Sequence, residues 1–133
     1  YSVFFIFNIL NEVKNLINKT ILIMELIYDY WKGKPSEVNT SLKRSISQYT
    51  RYYSNVKIGI TCRPKDRLRQ HNKMNLDWEK MIIKYETSSI NFINKIEKDH
   101  IDYQWEFVTN LRAGGGGPNG KTGPFFLYVL LKK

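Results

Sequence analysis

The sequence predicts an α+β domain with a small three-stranded sheet flanked by helices and an added N-terminal helical segment. Short runs rich in β-branched residues, separated by segments with apolar residues at helical spacing, support this fold class. With 133 residues the chain has the size of one domain, and its 42% apolar and 14% aromatic content argues against intrinsic disorder. The single cysteine, Cys62, excludes an internal disulfide and a cysteine-based zinc site.

Residues 1–35 are predicted to form the helical extension. Its apolar residues recur at spacings of three and four, which predicts one stripe on a helix: Leu10, Val13, Ile17, Thr20, Met24, Ile27 and Trp31. Three interpretations stay open, namely a helix packed on the core, a homodimer seam through residues 10–31, or an extension before a true start at Met24. The apolar run at residues 1–10 is too short to span a bilayer and lacks the flanks of a signal peptide, so no membrane contact is expected.

Residues 36–133 are predicted to form the main domain, which follows a break at residues 33–36. The predicted elements are a helix at 40–53, a strand at 56–61, a helix at 64–74 with Pro64 in its first turn, a strand at 78–87, a helix at 90–105 capped by Thr87-Ser88-Ser89, a glycine-rich loop at 113–123 and a strand at 125–131. We find no internal repeat in the sequence.

The net charge of +9 is concentrated in one block of the sequence. Eleven basic and two acidic residues lie between Lys32 and Lys73, so the rest of the chain is neutral. This pattern is typical of a polyanion binder, and the charge alone leaves RNA, DNA or a membrane surface open as the partner. A basic surface that only keeps the protein in solution is the alternative. With one cysteine and no secretory signal, we expect an intracellular location in the cytoplasm or nucleus.

Arg67 and His71 lie four residues apart on the predicted helix 64–74, so they share a face just beyond the strand that contains Lys57. The arginine fork suits a phosphate, and histidine can move a proton near neutral pH. The alternative is a basic helix end that is merely solvated, formed by Arg63, Lys65, Arg67 and Arg69.

Glu97 lies at the edge of the apolar face of the predicted helix 90–105. A lone carboxylate in that position costs free energy unless it is paired, so it either binds a hard cation such as Mg²⁺ or pairs with a basic side chain. His100 is predicted to lie on the surface or edge of the same helix, and we assign it no role.

The segment 110–120 contains four consecutive glycines but lacks the Gly-Lys-Ser/Thr ending of a P-loop. The glycines permit either close approach of the backbone to a ligand or a flexible connection.

The chain from about residue 50 onward resembles the GIY-YIG endonuclease superfamily, in a branch with Lys-Ile-Gly in place of Tyr-Ile-Gly. The likeness is carried by an ordered set, namely Lys57-Ile58-Gly59-Ile60-Thr61, Arg67, His71, Glu97 and Asn110. The resemblance implies an endonuclease that hydrolyses DNA phosphodiester bonds with Mg²⁺ or Mn²⁺ as cofactor.

The resemblance also implies roles for individual residues. Glu97 would hold the metal ion, Arg67 would hold the scissile phosphate, and His71 would be a further catalytic residue. Phosphate contacts are expected of Lys57, Arg69 and Asn110.

The chain departs from the family pattern because no GIY tripeptide precedes the strand at 56–61. The C-terminal segment 123–129 is similar to a displaced first strand, and we expect it to pair beside residues 57–61 and to supply Tyr128 in the missing role. Tyr53 is the second choice for the same role. The alternative function is a catalytically inactive nucleic-acid-binding module on the same fold, and a third is an interaction domain that dimerises through residues 10–31.

Overall fold

Helices and strands alternate along the chain in the computed structural model, which describes residues 3–21, 24–74, 76–110 and 122–133, and only the backbone at 17–21. In chain order the elements are helix α1 (Val3–Ile21), strand β1 (Glu25–Lys32), helix α2 (Pro35–Tyr52), strand β2 (Asn55–Thr61), helix α3 (Pro64–Lys73), strand β3 (Lys80–Thr87), helix α4 (Ile90–Tyr103) and strand β4 (Phe125–Lys132). The predicted α+β class is confirmed. Residues 113–121 of the predicted glycine-rich loop lie outside the described residues.

The sheet has four strands in the order β1-β3-β4-β2. The predicted pairing of the C-terminal strand beside residues 57–61 is confirmed, because β4 runs antiparallel to β2 with Gly59 opposite Tyr128. Strand β4 is also antiparallel to β3, whereas β1 runs parallel to β3 at the edge of the sheet. The three-stranded prediction is therefore wrong by one strand, and the last strand of the sequence is a central strand of the sheet.

The added strand corrects the prediction of one helix from residue 10 to residue 31. Helix α1 ends at Ile21, and residues 25–32 form β1, in which Ile27 pairs with Ile82 and Trp31 with Tyr85. The β-branched and aromatic residues of this segment favour a strand, and their spacing matched a helical stripe by coincidence. A single helix over residues 10–31 and a helical extension that reaches residue 35 are therefore wrong, whereas dimerisation through residues 10–31 stays a prediction. No described helix is long and apolar enough to cross a membrane.

Two apolar clusters lie on opposite faces of the sheet. On the first, which we call the α2/α4 face, helices α2 and α4 pack on alternate strand residues; the buried cluster includes Leu42, Ile46, Ile58, Ile82, Ile93, Ile96, Leu127 and Val129. On the second, which we call the α3 face, Leu68 of α3 packs against a smaller cluster of Met24, Trp78, Met81, Ile83, Tyr128 and Leu130. The alternation of side chains along β4 thus sends Tyr128 toward α3 and its neighbours toward α2 and α4.

The predicted starts of α3 and α4 are confirmed by the local geometry. Pro64 occupies the first turn of α3, and the Ser89 hydroxyl accepts a hydrogen bond from the Phe92 backbone N–H at 3.1 Å. Helix α2 begins at Pro35, earlier than predicted, directly after Gly33 with its positive φ of 127°. The short connection from β2 to α3 places the second half of α3 against Tyr128.

Candidate active site

Tyr128 lies at the centre of the candidate site, on the α3 face of the central strand β4. Only 4% of its surface is exposed. Its ring crosses Gly59 of the neighbouring strand so closely that a Cβ atom at Gly59 would overlap the phenol Cζ and the hydroxyl oxygen. The glycine of the Lys-Ile-Gly motif therefore makes room for the tyrosine ring.

His71 is the hydrogen-bond partner of Tyr128. The imidazole Nε2 lies 3.0 Å from the phenol oxygen, and the two ring centroids are 5.6 Å apart. Burial lowers the pKa of His71 to about 4, with further lowering by the charges of Lys57 and Arg67. The imidazole is therefore neutral at pH 7, and its buried Nδ1 has no hydrogen-bond partner among the described residues.

The Tyr128 hydroxyl brings a cation and a carboxylate into one electrostatic environment. Burial raises the pKa of Tyr128 to about 12, the Arg67 guanidinium opposes this rise, and the Glu97 carboxylate adds to it. The charges of Arg67 on α3 and of Glu97 on α4 thus affect the pKa of the phenol in opposite directions. At pH 7 the phenol is protonated.

Lys57 and Arg67 make the surroundings of His71 positive. Lys57 is two residues before Gly59 on β2, so its side chain projects from the α3 face, and Arg67 is one turn before His71 on α3. Both residues are half-buried. Neither forms an ion pair with any other residue that the structure describes. Their charges are available to an anionic ligand, and a phosphate is the anion that an arginine fork fits best.

Glu97 is buried on α4 with 6% exposure, in a helix face that also contains Ile93, Ile96 and Ile101. Within the described part of the chain, no group of three or more His, Cys, Asp or Glu side chains could hold a metal ion. The donor set therefore does not fit a metal held entirely by protein ligands. The carboxylate of Glu97 is the type of ligand that hard cations such as Mg²⁺ or Mn²⁺ prefer.

Asn110 binds the backbone of β2 on both sides of Ile58. Its Nδ2–H donates to the Ile58 carbonyl at 2.8 Å, and its Oδ1 accepts from the Ile58 N–H at 3.0 Å. The preceding Thr109 N–H donates to the Val56 carbonyl at 2.8 Å. The predicted phosphate ligand thus holds the outer edge of β2, next to Lys57 and Gly59, and we interpret it as a positioning residue.

Arg69 and Tyr53 are not brought into the cluster. The Arg69 guanidinium pairs with Asp66 at 2.7 Å on the exposed side of α3, two positions away from the face that carries Arg67. Tyr53 packs against the cluster on the α2/α4 face of the sheet, opposite the face that carries Tyr128. Between the two tyrosines considered for the missing role, the structure joins only Tyr128 to His71.

Two buried polar residues were missed by the sequence analysis. His100 was predicted at a helix surface or edge, but it is fully buried and its Nε2 lies 3.0 Å from the Asn39 side-chain oxygen between α2 and α4. Lys84 is 1% exposed, and its Nζ donates to the Asp29 carboxylate and the Tyr49 hydroxyl, both at 3.2 Å. A lone lysine inside the apolar run of β3 was the available sequence signal, because a charge there needs a partner.

Comparisons with protein-family models, with curated proteins and with solved structures found no match to this chain. The site therefore rests on its own residues: a buried tyrosine and histidine in contact, an arginine and a glutamate that both act on the phenol, and a lysine beside them.

Proposed function

We propose that the protein is a metal-dependent endonuclease that hydrolyses phosphodiester bonds of nucleic acid, with DNA as the expected substrate, through a GIY-YIG-like arrangement. The observation that supports this proposal most is the buried contact between His71 and Tyr128, with 3.0 Å between the imidazole Nε2 and the phenol oxygen, beside Arg67 on the same helix. A phosphate group bound on the α3 face beside that hydroxyl would meet the positive charges of Lys57 and Arg67.

Arg67 and Lys57 bind the phosphodiester in this proposal. Burial is the main cause of the low pKa of His71, and the added negative charge offsets only the further lowering by Lys57 and Arg67. His71 Nε2 can then accept the phenol proton as the Tyr128 oxygen takes a proton from the attacking water. The water oxygen bonds to phosphorus, the bond to the leaving oxygen breaks, and His71 ends as imidazolium.

Glu97 would hold Mg²⁺ or Mn²⁺ in this proposal. When bound, the cation neutralises the charge that develops on the phosphate and on the leaving oxygen. Gly59 and Asn110 act through position, because the first makes room for the Tyr128 ring and the second holds the strand edge beside Lys57.

Nicking of a supercoiled plasmid, with MgCl₂ or with EDTA, tests the proposal. We expect cleavage that needs the metal, and loss of at least about a thousandfold in rate for Glu97→Gln, with binding of the DNA kept. Unchanged cleavage by Glu97→Gln would contradict the metal assignment. The glutamine variant keeps the size of the side chain, and circular dichroism checks that it folds.

Arg67→Ala and Arg69→Ala form a matched pair on one helix with the same change in charge. We expect about a hundredfold loss of cleavage for Arg67→Ala, the effect of removing one donor aimed at a developing charge. Arg69→Ala should lose less than about threefold, because Arg69 pairs with Asp66. Equal losses would remove Arg67 from the phosphate site.

The second candidate is a nucleic-acid-binding module without catalysis. The burial of Tyr128 and the rise of its pKa to about 12 favour it, because a protonated and shielded phenol is a weak base. Wild-type protein that binds DNA but nicks no plasmid with Mg²⁺ or Mn²⁺ would establish this function in place of the nuclease.

A further inference from the structure

A groove lies along the outer side of helix α2, on the opposite side of the sheet from α3 and Tyr128. Its volume is about 510 Å³, and it is lined mainly by Lys43, Arg44, Ser47, Gln48, Arg51 and Tyr103. None of these residues belongs to the candidate active site. The basic block of the sequence is thus divided by the fold into one group on α3 and a second group on α2.

The groove is positively charged along its length. Arg44 and Arg51 lie seven residues apart on one side of α2, Lys43 lines the same groove next to Arg44, and no carboxylate of a described residue lines it. Among the described residues, none of these three cations forms an ion pair. The lysines of the neighbouring helix differ, because Lys95 and Lys98 pair with the aspartates four residues after them.

An aromatic ring forms one wall of the groove. Tyr103 is 58% exposed, and the Lys43 Nζ lies 4.8 Å from its ring centroid. The adjacent Gln104 is buried, and its Nε2–H₂ donates to the Ser47 hydroxyl at 2.7 Å and to the Lys43 carbonyl at 3.5 Å. These bonds tie the end of α4 to α2 and so hold the tyrosine beside the cations.

We propose that this groove binds a single-stranded segment of nucleic acid, with its phosphates on Lys43, Arg44 and Arg51 and a base on Tyr103. Cationic grooves with an accessible aromatic ring are typical of single-strand binding, and Ser47 and Gln48 add hydrogen-bond donors for phosphate oxygens. The choice of nucleic acid over another polyanion rests on the proposed function.

The position of the groove also favours a single strand. A nucleic acid that reaches both the groove and Tyr128 must turn around the edge of the sheet. Duplex DNA has a persistence length of about 150 base pairs and cannot turn around a domain of 15.8 kDa without a large bending cost. A single strand makes that turn readily, so the two surfaces together point to a substrate with an unpaired region.

Fluorescence anisotropy with a labelled oligothymidylate, in EDTA to prevent cleavage, tests the groove. We expect the double variant Arg44→Glu/Arg51→Glu to bind the oligothymidylate at least about tenfold more weakly. The slope of log K against the logarithm of the salt concentration should become less steep by about 1.4, because two phosphate contacts are lost. The matched control Lys95→Glu/Lys98→Glu makes the same change in net charge and should lose less than about threefold. Equal weakening by both double variants would overturn the proposal in favour of a general effect of net charge.

Tyr103→Ala tests the stacking contact. We expect at least about fivefold weaker binding of the oligothymidylate and unchanged binding of a duplex of equal length, with Tyr103→Phe as wild type. An equal loss for duplex and single strand, or no loss for either, would overturn the assignment of a single strand.

The groove and the nuclease proposal fail in different ways. Binding in EDTA does not need Glu97, so Glu97→Gln should bind the oligothymidylate as wild type does. Protein that binds through the groove but never nicks DNA contradicts the nuclease alone. Protein that nicks DNA while Arg44→Glu/Arg51→Glu binds as wild type contradicts the groove alone.

Discussion

The ring of Tyr128 lies against the Cα of Gly59, at a distance that leaves no space for a Cβ atom. The φ angle of Gly59 is not positive, so any residue could adopt its backbone conformation. The requirement for glycine comes instead from the ring of Tyr128 on the neighbouring strand. Because Tyr128 is on a central strand and 4% exposed, its ring cannot swing away at low cost.

Gly59→Ala should therefore lower the free energy of unfolding by about 1–3 kcal/mol, the usual cost of overpacking a core, as measured by urea denaturation. The same substitution in a Tyr128→Ala background should cost little, because the overlapping ring is gone. A double-mutant cycle over the four proteins measures this coupling, which we expect to exceed about 1 kcal/mol. An equal cost in both backgrounds would show that the glycine is needed for another reason.

Local chemistry made much of the fold predictable from the sequence. Pro64 and Ser89 signal helix starts through a missing N–H and a capping hydroxyl, both of which depend on neighbouring residues alone. The run 56–61 is β-branched enough to specify a strand. The pairing of the last strand beside it was predictable because the resemblance left one strand position unfilled.

Long-range contacts account for what was missed. Residues 25–32 carry spacings that fit a helix and a strand alike, and only the vacant edge beside β3 selects the strand. The burial of His100 depends on Asn39, sixty-one positions away in the chain. The binding of Asn110 to the β2 backbone was not foreseen for the same reason, because its partner Ile58 is fifty-two positions away, whereas the pairing of Arg69 with Asp66 is local to α3.

Acid should destabilise the protein through its two histidines. Burial lowers the pKa of both His71 and His100 from 6.5 to about 4. Between pH 4 and pH 6.5 the unfolded chain therefore binds more protons than the folded chain does. The free energy of unfolding has its full value above pH 6.5 and decreases as the pH falls toward 4. We expect each histidine to account for a loss of the order of 2–3 kcal/mol at pH 4.

Urea midpoints at pH 7, 5.5 and 4.5 measure this loss, with His71→Gln and His100→Gln as the informative variants. Glutamine does not titrate, so each variant should show a smaller difference between pH 7 and pH 4.5 than wild type shows. Unchanged pH dependence in a variant would mean that its histidine is not the group that titrates.

Asn110→Ala should loosen the outer edge of β2. The variant removes the hydrogen bonds to both the N–H and the carbonyl of Ile58, which we expect to cost about 1–2 kcal/mol of stability. Hydrogen exchange gives the sharper measurement, because the Ile58 amide should lose protection while amides of β3 keep theirs. Thr109→Ala is the matched control, since the backbone bond from Thr109 to Val56 remains in that variant. An Ile58 amide protected equally in both variants would contradict a positioning role for Asn110.

Lys84 should be replaceable by methionine at less cost than by alanine. Its buried stem fills space beside the rings of Trp31 and Tyr49, whereas its partner Asp29 is 70% exposed and can be hydrated when the ammonium is removed. We expect Lys84→Met to lower the free energy of unfolding by less than about 1.5 kcal/mol, and Lys84→Ala by about 2–4 kcal/mol through the cavity it leaves. Urea denaturation of both variants at pH 7 measures the difference. Equal losses would mean that the charge of Lys84, with its bonds to Asp29 and Tyr49, stabilises the fold more than its packing does.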